Sequence, residues 1–385
     1  NLSLSSPSGP HDGSTLFEQA LDALTGPGRI IVAGTGNSGD HRNAIPEAVN
    51  GPNHASGVAG GPAHGMIVPG YVPTPGTDND IVALELWYHG ADSLAVTITA
   101  PSGASVTVAT GDSILIDSPD GGIGVLNAVD GPSPENGRHA MLIALADLGT
   151  PPDTGRWTLE VEPEAIHENG AYHLWLVGHA LGGARVPPRL AGGTSNRYLV
   201  GQPATASRIL AAGAHVTKHA WQGVDGSSEF FSYREDLGDI AYFSSPGPRL
   251  DGVTRPDVTA PGKVLISALS RDATLFDPFP ELVEEDSVHV ALLGTSMAAP
   301  QLAAAVAVLL QIDPDLTPED IRAYGASVTA RLRRWWDALP RLGRRSRALA
   351  QSRRAPPIKR LASFRSQRAS VNRPILSNSA SFTQS

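Results

Sequence analysis

Between about Met66 and about His179 the chain contains eight short alternating runs, and this block constrains the fold most. The runs are Val82–Tyr88, Leu94–Thr99, Ser105–Val108, Ile114–Ile116, Gly124–Leu126, His139–Leu145, Trp157–Val161 and Tyr172–Val177. Turns rich in Pro, Gly, Ser and Asp separate them, and no helical period intervenes. That texture predicts an antiparallel β-sandwich. A different texture flanks it. Leu16, Phe17, Ala20, Leu21 and Leu24 have helical spacing, and Ile30-Ile31-Val32-Ala33 reads as a short apolar strand. Strand, helix and strand of these lengths predict a parallel crossover unit. The alternation of strand and loop returns after Gly192-Gly193, at Ser207–Gly213 and Val264–Ala268. Met297–Leu310 is almost wholly apolar and predicts a helix buried on all sides. Thr317-Pro318-Glu319-Asp320 has the N-cap signature of another helix. The expected fold class is α/β, a parallel sheet with flanking helices interrupted by an antiparallel sandwich. Residues 1–65 and 191–330 would form the α/β part, 66–190 the insert and 331–385 a tail.

The 41 Gly and 32 Pro fit a turn-rich chain. The absence of cysteine excludes disulfides, thiolate metal sites and a cysteine nucleophile. The net charge of -9 is unevenly spread. Residues 331–385 are strongly basic, with Arg333-Arg334 and Arg344-Arg345 among them, and carry one acid, Asp337. The acidic remainder argues against nucleic acid as a partner. No apolar run reaches the roughly 18 residues needed to span a bilayer.

The sharpest string is Gly294-Thr295-Ser296-Met297-Ala298-Ala299-Pro300. A serine at the first turn of a buried helix has a fixed Oγ, and free backbone N–H groups there face developing negative charge. Read singly, Ser296 fits an ordinary N-cap, and Asn37 in Gly36-Asn37-Ser38-Gly39 fits a turn asparagine.

The heptapeptide resembles the nucleophile motif of the subtilases, the subtilisin-like serine peptidases. Three further segments resemble that family in its usual order. Asn1-Leu2-Ser3-Leu4 with Pro7-Ser8-Gly9 resembles the strand and loop that pair with substrate. Gly36–Gly39 resembles the oxyanion-hole loop. Phe243–Pro248, followed by Arg255-Pro256-Asp257 and Ala260-Pro261-Gly262, resembles the loop before the nucleophile strand. The resemblance implies Ser296 as nucleophile and Asn37 as oxyanion donor. It also implies substrate contacts at Ser3, Leu4, Ser5, Gly36 and Thr295. The family's Asp and His motifs precede the segment that Asn1–Leu4 resembles, so the chain as given is expected to be inactive. His64-Gly65-Met66 is similar to the family's His motif, but it follows Asn37 and Pro69 interrupts any helix there. Ser5-Ser6 stands where the family usually has Gly-Gly.

The strands around Trp157 and Trp175 resemble jelly-roll domains inserted in subtilases related to spore-germination proteases. Trp87, Trp157 and Trp175 are expected in the sandwich core rather than as ligand platforms. Asp78, Asp80 and Asp117–Asp120 are expected as turn acids, with structural calcium the other reading. No cofactor or catalytic metal is expected. The implied partner is a polypeptide substrate, and the resemblance favours secretion or the cell envelope. A non-catalytic binding or scaffold protein on the same fold is the alternative. The tail reads as frameshifted text, a disordered segment or a basic arm.

Overall fold

A computed structural model describes residues 1–40, 52–226, 228–230 and 235–325. The expected tail lies outside them. In chain order the elements are α1 (Leu16–Leu24), β1 (Val32–Gly34), β2 (His54–Val58), β3 (His64–Val68), β4 (Ile81–His89), β5 (Ser93–Thr99), β6 (Ser105–Val108), β7 (Ser113–Ser118), β8 (Gly121–Asn127), β9 (Arg138–Ala146), β10 (Gly155–Ala165), β11 (Ala171–Ala180), β12 (Arg189–Ala191), β13 (Leu210–Val216), β14 (Ala220–Gln222), β15 (Ser228–Phe230), β16 (Val258–Lys263), β17 (Leu265–Ala268), β18 (His289–Leu292) and α2 (Thr295–Ile312). All of these lie in one unit, Asn1–Pro318. Residues 319–325 belong to a second unit and are helical.

The parallel sheet has the order β1-β13-β16. Leu2 extends it past β1 by a parallel bridge to Ala33. α2 packs against all three strands. Arg255-Pro256-Asp257 ties the sheet to neighbouring backbone: Arg255 donates to the carbonyls of Ala204 and Ala206 and pairs with Asp257, which accepts the Ala211 N–H. β17 and β18 form a small antiparallel pair, as do β14 and β15.

α2 departs from the expected burial. α2 buries Thr295, Ala298, Ala299, Leu302 and Val306. Val308 and Ile312 are exposed, so one face of this helix meets no neighbour among the described residues. Its Ala-rich composition carries no polar face to announce which side turns outward. By length and composition α2 also passes for a membrane span, yet here it is the helix laid on the parallel sheet. In α1, Leu16, Phe17 and Leu24 are exposed, while Glu18 is buried. Thr15 caps the helix in a capping box with Glu18, whose carboxylate also accepts a hydrogen bond from Thr205. That polar anchor turns the Glu18 side inward, and burial raises its carboxyl pKa.

The sandwich consists of a five-stranded sheet, β12-β3-β10-β5-β6, and a six-stranded sheet, β2-β11-β4-β9-β8-β7. The eight expected runs all lie in its strands. β4 and β9 pair without a break from Ile81↔Ala146 to His89↔Arg138. Alternation along each strand delivers Val82, Leu84, Leu86, Met141, Ile143, Leu145, Val96, Ile98, Trp157 and Leu159 to one core. The sheets also take in β2 and β3, so they begin at His54 rather than Met66. Gly57 and Gly65 obscure the alternation of those two strands.

Of the three tryptophans expected in the sandwich core, only Trp157 lies there; Trp175 is fully buried outside it, stacked on His11, and Trp87 is half-buried. Asp80 accepts N–H groups of Thr74 and Gly182, each at 2.7 Å, and Asp120 accepts the Ser102 hydroxyl at 2.7 Å. Both acids brace turns.

His54 Nε2 and His173 Nδ1 lie 3.0 Å apart, packed near Trp175 and Tyr198. Burial, reinforced by His173, pushes the His54 pKa down to about 3. Burial, reinforced by Arg138, pushes the His173 pKa down to about 4. The unfolded chain takes up these protons near pH 6.5, whereas the folded protein resists until far lower pH. Stability is therefore full above that value and falls with acidification, by about 1.4 kcal/mol per pH unit per group. Urea midpoints from pH 7 to pH 5 should fall in the parent chain and fall less steeply in His173→Phe. Equal slopes would contradict this assignment.

Candidate active site

Three backbone segments converge where α2 begins. The loop after β1 carries Gly36 and Asn37, the segment before α1 carries Ser3, and α2 starts at Thr295. Gly294 precedes α2 with φ +148°, a conformation that favours glycine, and offers no side-chain cap. Asn37 takes over the capping role from across the sheet. Its Oδ1 accepts the Thr295 N–H at 2.9 Å and the Thr295 hydroxyl at 3.1 Å. Because a backbone N–H can only donate, the oxygen end must face it. The Nδ2 end is therefore turned away, toward Gly294, where an added Cβ would lie 3.4 Å from it.

The loop itself is braced from behind. The Gly36 N–H donates to Thr295 Oγ1 at 3.0 Å. The Ser245 N–H donates to the Gly36 carbonyl at 2.9 Å, and the Ser38 N–H donates to Ser245 Oγ at 3.0 Å. Gly36 sits at φ +101°, and a Cβ there would come within 2.8 Å of Ser5 Oγ. The Ser5 side chain thus closes against the Asn37 loop.

Ser296 is half-buried in the first turn of α2. Backbone N–H groups of that turn lack an intrahelical acceptor and carry the positive end of the helix dipole. Ser296 Oγ donates to the Ser3 carbonyl at 3.1 Å, and Ser3 Oγ donates to the Ser296 carbonyl at 2.8 Å. Ser3, Leu4 and Ser5 are exposed beside it. Thr295 is buried, and its hydroxyl is engaged with Gly36 and Asn37, so its side chain braces the loop.

Among the described residues, no histidine hydrogen-bonds to Ser296. His64 is buried in β3, with Nδ1 on the Gly192 carbonyl and Nε2 on the Tyr172 hydroxyl, each at 2.8 Å. His41 lies outside the described residues. No cluster of three or more His, Cys, Asp or Glu suited to a metal occurs among the described residues. Sequence reasoning missed Ser245 and Gln202. Gln202 pairs with Ser6 through both backbone groups and donates its Nε2 to the Ser8 carbonyl at 3.0 Å. Ser245 lies in the Phe243–Pro248 string but carries no sign of its contact with Ser38, and Gln202 carries none of its contact with Ser8, because the fold brings these partners together from distant chain.

A family model described as the subtilase family, Peptidase_S8, matches residues 1–332. The chain belongs to the subtilase family. Serine protease AprX of Bacillus subtilis is 38% identical over 87 residues, 23% of this chain and 20% of that protein. An uncharacterized protein of Aquifex aeolicus is 30% identical over 130 residues, 34% of this chain and 54% of its own. The solved structure of the Clostridium perfringens CspB protease aligns at a TM-score of 0.60 and 21% identity, covering 83% of this chain and 58% of that one. That likeness supports the α/β subtilisin-like fold. This subtilase thus spans about a fifth of AprX and just over half of the other two.

Proposed function

We propose that this chain carries the nucleophile half of a subtilisin-type serine endopeptidase. Ser296 attacks the peptide carbonyl and forms the acyl-enzyme. Asn37 Nδ2 and the Ser296 backbone N–H stabilise the oxyanion. The observation that carries this reading is the capping geometry of Asn37. One end of its amide is held by Thr295, which leaves the other end free to donate near Gly294, just before α2.

A serine hydroxyl needs a base to take its proton. Here the Ser296 hydroxyl donates to a backbone carbonyl, which is no base. On this reading the Asp and His that complete the triad come from a segment upstream of the matched strings, and the chain as given is expected to be inactive. The substrate is a polypeptide laid along Ser3–Ser5.

The experiment is fluorophosphonate labelling and casein cleavage, with and without the upstream coding segment. The extended chain should label and cleave, and the present chain should do neither. The Ser296–Ser3 hydrogen bond also favours a second reading, a non-catalytic binding protein on this fold. An upstream segment lacking intact Asp and His motifs would decide for it.

A further inference from the structure

The segment beside Ser296 is held by the inserted sandwich. After Ser3 contacts Ser296, Ser6 pairs with Gln202 in an antiparallel bridge, N–H to carbonyl at 2.8 and 3.0 Å. The chain then turns at Pro7-Ser8-Gly9, where the sandwich reaches it. Glu85 on β4 is buried. Its carboxylate accepts the Gly9 N–H at 2.7 Å and the Ser8 hydroxyl. Trp87 Nε1 donates to the same carboxylate at 3.2 Å, which holds it in place from its own strand.

A second sandwich side chain supports the same turn. Trp175 on β11 stacks on His11 at 4.3 Å with an interplanar angle of 9°. His11 in turn has one ring nitrogen on the Pro7 carbonyl and the other on the Val200 carbonyl, each at 2.8 Å. The Asn136 amide donates to Asp12 and Ser14 a few residues further on.

We propose that Glu85 is a positioning residue for the substrate-lining segment. Through this carboxylate the insert sets the Ser8–Gly9 turn, and the turn sets the register of Ser3–Ser6 against Gln202 and Ser296. Glutamate suits this role physically. A buried carboxylate satisfied by three donors is a strong, directional anchor, and removing it leaves the buried Gly9 N–H without its acceptor and the half-buried Ser8 hydroxyl without this one. The inference rests on reading Ser3–Ser5 as a cleft wall, but its structural half does not depend on catalysis.

The test is native-state hydrogen exchange of the present chain, read at the Ser6 and Gly9 amides. Glu85→Ala should speed exchange there by roughly tenfold or more, while amides of β8 and β9 stay within about twofold. Glu85→Gln keeps one acceptor oxygen and should restore much of the Gly9 protection. Ser8→Ala should act weakly, because it removes one donor only. Unchanged exchange at Ser6 and Gly9 in Glu85→Ala would overturn the proposal. So would an equal rise across β8 and β9, which would make Glu85 a general stabiliser of the sandwich. In a catalytically complete chain, Glu85→Ala should raise KM with kcat nearly unchanged, and Glu85→Gln should raise it less. Absence of any activity in that parent chain would count against the catalytic reading, and the exchange result would stand by itself.

Discussion

Ser296→Ala, introduced into a chain extended upstream to supply the proposed Asp and His, should abolish fluorophosphonate labelling and lower casein turnover by on the order of 10⁶. That magnitude comes from another subtilase, in which removing the nucleophile alone costs nearly as much as removing the whole triad. It follows from the chemistry. Without Oγ there is no acyl-enzyme, and what survives is binding plus the oxyanion donors. The substitution should leave the fold intact. Ser296 is half-buried and its hydroxyl makes one hydrogen bond, to the Ser3 carbonyl. Stability should therefore change by about 1 kcal/mol at most. Circular dichroism and a urea midpoint close to those of the parent would show that lost activity is lost chemistry. Residual labelling at another residue would move the nucleophile elsewhere.

Asn37 permits a sharper separation, because its two amide atoms have different partners. Asn37→Asp keeps an oxygen to accept the Thr295 N–H, and aspartate is as good a helix cap as asparagine. It removes the Nδ2 donor and puts a carboxylate oxygen where an oxyanion would form. Turnover in the completed enzyme should fall by roughly 10²–10³, a figure itself drawn from a subtilase, with stability nearly unchanged. Asn37→Ala removes both functions. It should lose comparable activity and in addition about 1 kcal/mol of stability from the uncapped α2. If Asn37→Asp retained activity while Asn37→Ala lost it, Asn37 would be a cap only. Single-turnover kinetics alongside urea denaturation separates these cases.

Much of this was legible from the residues, and the illegible parts share a physical cause. The sandwich strands could be read because alternation over a half-buried pleat is written locally, as in Val82, Leu84 and Leu86. β2 and β3 escaped because their glycines erase the alternation, and their pairing with β11 and β10 is settled by distant chain. α2 was legible as a helix, but its exposed side was not, since alanine suits either side of a core helix. In α1 the spacing of Leu16, Phe17 and Leu24 marked the helix but not its buried side, because Glu18 is held inward by Thr15 and Thr205. At the site, Ser296 and Asn37 stood out only through strings that resemble a family. That Asn37 caps α2, and that Thr295 lies buried beneath the loop, depend on two segments some 258 residues apart in sequence. Glu85 in the middle of a strand gave no hint of Ser8 and Gly9, 77 and 76 positions away.

If Ser296 is a nucleophile whose base comes from polypeptide outside residues 1–385, fluorophosphonate labelling of the present chain and the upstream-extended chain side by side tests it most directly, with the modified residue located by mass spectrometry. No adduct is expected on the present chain, and a single adduct, at Ser296, on the extended one. An adduct at Ser296 of the present chain, or none on an extended chain with intact Asp and His motifs, would contradict it.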